Sequence, residues 1–257
     1  NPLICHFANI KEIEKNFILK DKDYELANTS WPGPLTLILE KKINSMISPF
    51  LSNNKNQVGC RIPNNEISLS LLSIIDFPIA APSANIATRT SVTSIDDLDY
   101  KLKEIFYIDG GSSVLGLEST VIKTTKNGCK ILRLGSLTIE DIKIKFPKYE
   151  ISIDQSDVSP GNQLKHYSPI KPIRINVDFV KKNETLLNFG INELASDIKS
   201  LNLSIDENLS DASYNFYNYL NILDSISCDG IAVAPIPDQG LGKTINDRLR
   251  RASHKDE

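Results

Sequence analysis

The sequence predicts an α/β protein of two domains, and three observations lead to this prediction. Strand-like and helix-like stretches alternate from residue 1 to about residue 148, which is typical of a mixed sheet with helices. Residues 149–170 are polar and lack a regular period, so we expect a linker there. Residues 171–257 resume the alternation, which predicts a small Rossmann-like domain at the C-terminal end.

In the first domain, short apolar runs bounded by Pro, Gly and Asn indicate strands. Lys126-Asn127-Gly128 lies between two such runs and predicts a β-hairpin. A helix is expected over 21–27, and another follows Asn64 or Asn65, either of which can cap it. The apolar residues of this second helix are Ile67, Leu71, Leu72, Ile74 and Ile75. The predicted strands are 2–7, 35–39, 58–62, 78–81, 105–108, 119–122 and 130–133.

In the second domain, apolar residues three or four positions apart predict a helix that buries one stripe. That stripe consists of Leu209, Ala212, Phe216, Leu220 and Leu223. The segment GLGKT (240–244) is interpreted as a Gly-rich helix start, because a P-loop would need a glycine where Pro237 stands. Strands are expected at 172–177, 185–189 and 230–234, and a basic helix at 245–253.

The composition argues against several classes of protein. The 257 residues carry 29 Lys+Arg and 32 Asp+Glu, a formal charge of −3, whereas proteins that coat nucleic acid are usually basic. No apolar run approaches the roughly 18 residues of a membrane span, and the start has no signal-peptide pattern. The four cysteines, Cys5, Cys60, Cys129 and Cys228, are far apart, so we expect reduced thiols and a cytoplasmic protein.

Two features are candidates for ligand binding. Arg61 lies inside an apolar strand, where a buried guanidinium needs an anionic partner. That partner can be a core carboxylate or a ligand carboxylate, and strand alternation also permits a surface arginine. Pro82-Ser83-Ala84-Asn85 follows a predicted strand, and polar groups at strand ends often contact ligands. The alternative is an ordinary turn whose side chains bond their own backbone.

Three other positions have a structural interpretation beside the functional one. A histidine on an apolar strand, such as His6, is more often a hydrogen-bonded core residue than a functional one. Glu118, Ser119 and Thr120 at a strand start are more simply a solvated turn. Arg133 ends a strand, where it can hold phosphate or lie in solvent.

Several motifs follow one another in a specific order. They are NPLICH (1–6), WPGPLT (31–36), RIP (61–63), APSAN (81–85), DGG (109–111), GLESTV (116–121) and ILRLG (131–135). This order resembles that of YrdC-type threonylcarbamoyl-AMP synthases. SPGNQLKHYSP (159–169) and GLGKTINDRLRRA (240–252) are similar to segments of the family's long form, which has an extra C-terminal domain. Each motif is weak alone, but their joint order is specific and spans nearly the whole chain.

The resemblance implies a fold and a reaction. The fold would be a YrdC-like twisted mixed sheet with helices, plus the small Rossmann-like C-terminal domain. L-Threonine and bicarbonate would give a carbamate that attacks the α-phosphate of ATP, releasing pyrophosphate and forming threonylcarbamoyl-AMP. A downstream tRNA threonylcarbamoyl transferase complex would use this product to make threonylcarbamoyladenosine in tRNA. Such a transfer depends on positioning and electrostatics, so no catalytic side chain and no protein metal site is expected, and Mg²⁺ would arrive with the nucleotide.

Matched motif by motif, the resemblance also implies two sets of ligand contacts. The residues expected to bind L-threonine and its carbamate, with Arg61 on the carboxylate, are His6, Arg61, Ser83 and Ser119. The residues expected to bind ATP are Asn1, Gln57, Asn85, Thr93, Arg133 and Tyr167.

The chain also departs from the family. A basic KxR-type segment that normally precedes NPL is absent, so we expect an N-terminally truncated chain whose activity by itself is open. Gln57 stands where Thr or Ser is usual, and Ser91-Val92-Thr93 stands where Ser-Pro-Thr is usual. An RNA-binding YrdC-like module and an inactive product of a truncated gene remain as alternatives, and direct contact with tRNA is open.

Overall fold

The computed structural model describes residues 3–52, 55–86, 89–99, 102, 104–154 and 168–253. Its contacts divide the chain into two compact units. The first unit comprises Asn1–Pro82 and Glu118–Pro160, and the second comprises Ser83–Leu117 and Gly161–Glu257. The segment from Ser83 to Leu117 therefore groups with the C-terminal part of the chain. The boundaries 1–148, 149–170 and 171–257 stay a prediction.

The first unit is built on a twisted mixed sheet, as predicted. Its strands are β1 (Ile4–His6), β2 (Phe17–Ile18), β3 (Leu35–Lys41), β4 (Gln57–Arg61), β5 (Ile79–Ala81), β6 (Thr120–Thr124), β7 (Gly128–Arg133) and β8 (Glu150–Ile153). Its helices are α1 (Ile10–Asn16), α2 (Asp21–Ser30), α3 (Glu66–Ile74) and α4 (Ile139–Lys145), with a 3₁₀ turn at Pro49–Ser52. The strand order is β5-β1-β4-β3-β6-β7-β8, and β2 pairs with β3.

Most of the predicted elements of the first unit are confirmed. The predicted hairpin is the antiparallel pair of β6 and β7. Asn65 caps α3, because its side chain accepts a hydrogen bond from the Ser68 N–H. The short elements α1, α4 and β2 were not predicted, and β8 forms within the predicted linker.

The predicted strand at 105–108 is wrong. These four residues form no strand, and the side chain of Phe106 is 93% exposed. An apolar run becomes a strand only when a neighbouring strand can pair with it, and the sequence pattern cannot show that neighbour.

The second unit contains a small parallel sheet. Its strands are β9 (Ile173–Arg174), β10 (Glu184–Asn188), β11 (Ser200–Asn202) and β12 (Gly230–Val233), in the order β11-β10-β12-β9 with every pairing parallel. The helices are α5 (Leu209–Ser225) and α6 (Gly240–Ser253). The predicted α5 stripe is confirmed: Ala212, Phe216, Leu220 and Leu223 are all buried. Gly240 begins α6, as the helix-start interpretation of GLGKT predicts.

Each sheet carries its own hydrophobic core. In the first unit, Leu35, Leu37 and Leu39 of β3 pack with residues of α1 and α2, among them Ile13 and Leu26. In the second unit, Leu187, Ile231 and Val233 pack against α5 and α6. The cysteines are all free thiols, as predicted, and three of them are buried. None of the described helices has the length and apolarity required to span a membrane.

Phe216→Ala tests the core of the second unit. Removing this fully buried ring should lower the free energy of unfolding by about 3–5 kcal/mol, measured by urea unfolding followed by circular dichroism. Ile222→Ala, on the exposed side of the same helix, is the matched control and should cost about 1 kcal/mol or less. Equal losses for the two variants would contradict this account of the α5 stripe.

Candidate active site

The sheet of the first unit has a core face that is apolar across five strands. Neighbouring strands place their register partners on the same face of a sheet. The partners in the central row, taken strand by strand, are Cys5, Cys60, Leu37, Ile122 and Ile131. All five side chains are buried in the core of the first unit.

The opposite face of the sheet carries mainly polar side chains, which lie beside Val121 of β6. His6 and Arg61 are register partners on β1 and β4. Thr36 precedes Leu37 on β3 and is the partner of Val121 on β6. Val121 is in turn the partner of Arg133 on β7. Period-two alternation thus brings His6, Arg61 and Thr36 to one face of the sheet, and the pairing of Arg133 with Val121 places Arg133 on the same face.

A β-bulge directs Arg133 to this polar face. Along β7, strict alternation from Cys129 and Ile131 would place residue 133 in the core. The register with β6 shifts between Val121 and Ile122, and Leu132 is the extra residue on β7. Such a bulge re-aims the side chain that follows it, so Arg133 faces the same side as Val121.

Arg133 is buried and holds Ser119, which immediately precedes β6. Its Nη2 donates to the backbone oxygen of Ser119 at 2.8 Å and to Ser119 Oγ at 3.1 Å. The main chain at Gly135 passes close to the same residue, since a Cβ there would lie 2.5 Å from Ser119 C. Glycine is therefore required at 135 for β7 to leave the sheet beside Ser119.

Thr36 also contacts Ser119, although it is not among the residues predicted to bind a ligand. The two hydroxyl oxygens are 2.8 Å apart, and the Thr36 side chain is fully buried. The signal was present in the sequence, because Leu35, Leu37 and Leu39 alternate with Thr36 and so assign it to the other face.

One guanidinium nitrogen of Arg61 is hydrogen-bonded to the main chain, and the two terminal nitrogens are available to a ligand. Its Nε donates to the Gly33 backbone oxygen at 3.0 Å. Among the described residues, no carboxylate forms an ion pair with Arg61. Burial, and secondarily the positive charge of Arg133, lower the Arg61 pKa to about 10. The guanidinium therefore stays charged at neutral pH, beside a second cation.

His6 is neutral at physiological pH. Burial, followed by the charge of Arg61, lowers the pKa of His6 to about 4. Its Nδ1 is buried and has no hydrogen-bond partner among the residues that the structure describes. A buried polar atom without a partner is uncommon in folded proteins and marks a position where a ligand can bond.

Gln57 lies at the other end of β4 from Arg61. The two residues share a face but are four positions apart, which corresponds to roughly 13 Å along a strand. Gln57 Oε1 accepts a hydrogen bond from Lys123 Nζ at 3.0 Å. The structure thus groups His6, Arg61, Ser119 and Arg133, and it separates Gln57 from them.

Ser83, Asn85 and Thr93 belong to the second unit. Ser83 is exposed. The Asn85 side-chain nitrogen donates to the backbone oxygens of Ile86 and Arg89, both at 2.9 Å, and its buried Oδ1 has no partner among the described residues. Thr93 Oγ1 donates to Asp97 at 2.8 Å. Asn1 and Tyr167 lie outside the described residues.

Thr93 lines a cavity of about 740 Å³ in the second unit. Four carboxylates also line it, those of Asp96, Asp97, Asp99 and Asp224. Negative charge at this density disfavours a triphosphate, whereas the uncharged part of a nucleotide faces no such penalty. Within the described ranges, no group of three or more His, Cys, Asp or Glu could hold a metal ion.

The chemistry of the polar face in the first unit follows from its charges. The guanidinium groups of Arg61 and Arg133 lie on the same face of the sheet as the neutral imidazole of His6 and the buried hydroxyl of Ser119. Guanidinium groups bind carboxylates and phosphates through paired hydrogen bonds. The face is therefore suited to an anion that carries more than one oxygen.

Two family models divide the chain between them. The model described as "Telomere recombination", for Sua5, YciO and YrdC proteins, matches residues 1–135. The model described as "Threonylcarbamoyl-AMP synthase, C-terminal domain" matches residues 136–254.

Curated relatives and solved structures match almost the whole chain. The threonylcarbamoyl-AMP synthase of Pyrococcus abyssi is 31% identical, over 98% of this chain and 80% of that protein. The enzyme of the same name from Bacillus subtilis is 30% identical, over 98% and 79%. A crystal structure of P. abyssi Sua5 complexed with L-threonine superposes with a TM-score of 0.82 at 30% identity, covering 98% of this chain and 80% of that one.

The pH dependence of folding tests the environment of His6. The unfolded state takes up a proton near pH 6.5 and the folded state only near pH 4, so stability should fall as the pH drops between these values. The loss attributable to this one group is on the order of 2–3 kcal/mol. His6→Asn should remove that part of the acid slope in urea titrations between pH 7 and pH 4, and identical slopes for both proteins would contradict the assignment.

Proposed function

Because the chain belongs to the threonylcarbamoyl-AMP synthase family, we propose that it forms threonylcarbamoyl-AMP from L-threonine, bicarbonate and ATP. The threonine amine and bicarbonate combine to a carbamate with loss of water. A carbamate oxygen then attacks the α-phosphorus of ATP, the bond to the bridging oxygen breaks, and pyrophosphate leaves. The observation that carries the proposal is the polar face of the first unit, where Arg61 and Arg133 lie beside His6 and Ser119.

Arg61 is assigned to the carboxylate of threonine. Its Nε is occupied by Gly33, so the two terminal nitrogens are directed to the ligand as a rigid fork. A carboxylate in this place would also offset the repulsion between Arg61 and Arg133, which adds to the effect of burial in lowering the Arg61 pKa.

His6 and Ser119 are assigned to the rest of the amino acid and its carbamate. A neutral imidazole adds no positive charge next to the amine, which must lose a proton before it attacks. The unpartnered Nδ1 of His6 supplies one hydrogen-bonding position, and the Ser119 hydroxyl supplies another. Ser83 is proposed as a further contact of L-threonine.

The remaining residues are assigned to ATP. Arg133 is assigned to phosphate, where its charge stabilises the developing negative charge of the displacement. Asn85 and Thr93 are proposed as nucleoside contacts on the basis of the family resemblance, since the acidic lining of the cavity beside Thr93 disfavours the phosphates. Asn1, Gln57 and Tyr167 are proposed as further nucleotide contacts, and Mg²⁺ is treated as part of the ATP substrate that bridges its phosphates.

The product points to a downstream step. Threonylcarbamoyl-AMP is a mixed anhydride, whose acyl group transfers readily to a nucleophile. We assign the next step to a separate tRNA threonylcarbamoyl transferase complex, and we place the protein in the cytoplasm, where its free thiols would stay reduced.

Pyrophosphate release tests the reaction. The purified full-length protein should release pyrophosphate from ATP only when L-threonine and bicarbonate are both present, with threonylcarbamoyl-AMP detected by mass spectrometry. Salt-sensitive RNA binding without any turnover would favour the RNA-binding alternative instead. Absence of turnover above background would refute the proposed function.

Arg61→Ala tests the threonine assignment. Loss of a buried charge contact should weaken L-threonine binding by about 30-fold or more, measured by calorimetry, while ATP affinity changes little. Arg61→Lys keeps the charge but loses the fork, so its affinity should be intermediate. Arg250→Ala removes an exposed arginine of α6 and serves as the control. An unchanged threonine affinity in Arg61→Ala would refute the assignment.

A further inference from the structure

The buried contact between Thr36 and Ser119 bears on which of the two hydroxyls donates a hydrogen bond and which accepts it. We infer that Thr36 is a positioning residue that orients the Ser119 hydroxyl as a hydrogen-bond donor toward an oxygen of the bound threonine or its carbamate. The inference rests on the proposed function and deepens it, because it gives the polarity of one contact in that site.

The first step is to count the protons and lone pairs at Ser119 Oγ. A hydroxyl has one proton to donate and two lone pairs to accept with. Arg133 Nη2 can only donate, so its 3.1 Å contact uses one lone pair of Ser119 Oγ. The 2.8 Å contact with Thr36 Oγ1 uses either the second lone pair or the proton.

The second step is to decide which hydroxyl donates in that contact. Within the part of the chain that the structure describes, Ser119 is the single hydrogen-bond partner of the Thr36 side chain. If Ser119 donated, the Thr36 proton would be left without an acceptor in a side chain that is 0% exposed. Leaving a buried donor unsatisfied costs about 1–3 kcal/mol. In either arrangement one of the two protons lacks an acceptor among the described residues, and Ser119, at 2% exposure, is the less enclosed residue. The favourable arrangement therefore has Thr36 donating to Ser119.

The third step follows for Ser119. Both of its lone pairs are then occupied, one by Arg133 and one by Thr36, and its proton has no acceptor among the described residues. Ser119 retains a small exposure, whereas Thr36 has none. The Ser119 proton is therefore the one that can reach a ligand, and it can bond only to an acceptor such as a carboxylate or carbamate oxygen.

Gly59 of β4 supports the same orientation of Thr36. A Cβ at residue 59 would lie 3.1 Å from the Thr36 methyl group, so the methyl occupies space that the missing side chain leaves open. With its methyl directed toward β4, Thr36 keeps its hydroxyl on the side of Ser119. A β-branched side chain has few rotamers, so this packing holds the hydroxyl in place.

The test compares Thr36→Val, which loses the hydroxyl at similar shape, with Thr36→Ser, which keeps it. Thr36→Val should weaken L-threonine binding about tenfold in calorimetry and raise the KM for threonine, while the KM for ATP stays within twofold. Thr36→Ser should restore threonine affinity to within about twofold of the natural protein. Thermal unfolding confirms that both variants are folded.

A double-mutant cycle separates positioning from a merely structural effect. If Thr36 acts through Ser119, then Thr36→Val should have no further effect on threonine affinity in a Ser119→Ala background. Gly59→Ala provides a second route, since it displaces Thr36 without removing a hydroxyl, and its effect should also vanish in Ser119→Ala.

Three outcomes would overturn the inference. Unchanged threonine affinity in Thr36→Val, or a loss that adds fully to that of Ser119→Ala, would refute it while the natural protein remains an active synthase. If the natural protein itself neither binds L-threonine nor releases pyrophosphate, the proposed function fails, and the inference fails with it.

Discussion

The polar face of the first unit depends on one constraint, the confinement of two arginine side chains on neighbouring parts of one sheet, with Arg133 buried and Arg61 partly buried. Arg61 remains charged although burial and the charge of Arg133 lower its pKa to about 10. Like charges in such a place are costly unless an anion offsets them. The surrounding structure maintains the arrangement: the Gly33 carbonyl holds Arg61, and the bulge at Leu132 turns Arg133 to the same face.

The two faces of this sheet have different roles: one contributes to stability and the other carries the candidate ligand contacts. The core face is filled by apolar side chains and free thiols, which contribute packing and no charge. The opposite face carries unpaired polar groups, such as His6 Nδ1, that cost stability in the absence of a ligand. A continuous core row across five strands stabilises the backbone on which that polar face is held.

The second unit has its own core and its own chemistry. Its parallel sheet packs against α5 and α6, and the cavity that Thr93 lines is acidic, whereas the polar face of the first unit is cationic. The Asp97 carboxylate accepts a hydrogen bond from the Thr93 hydroxyl. Because the two residues belong to one local turn, the contacts of Thr93 are explained without a ligand. Its predicted contact with ATP therefore depends on the family resemblance and not on an unpaired group.

Local periodicity along the sequence was enough to predict the α/β class, most strands and the α5 stripe. Motif order predicted ten ligand-binding residues, of which the structure brings His6, Arg61, Ser119 and Arg133 to one face. Period two along β3 even indicates that Thr36 points away from the core. Three features were decided only by the tertiary structure. The run 105–108 has no strand to pair with, Leu132 bulges and so turns Arg133 out of the core, and Thr36 meets Ser119 across 83 residues of sequence. Each of these depends on which distant segments become neighbours, and a pattern read along one chain carries no record of the strand beside it.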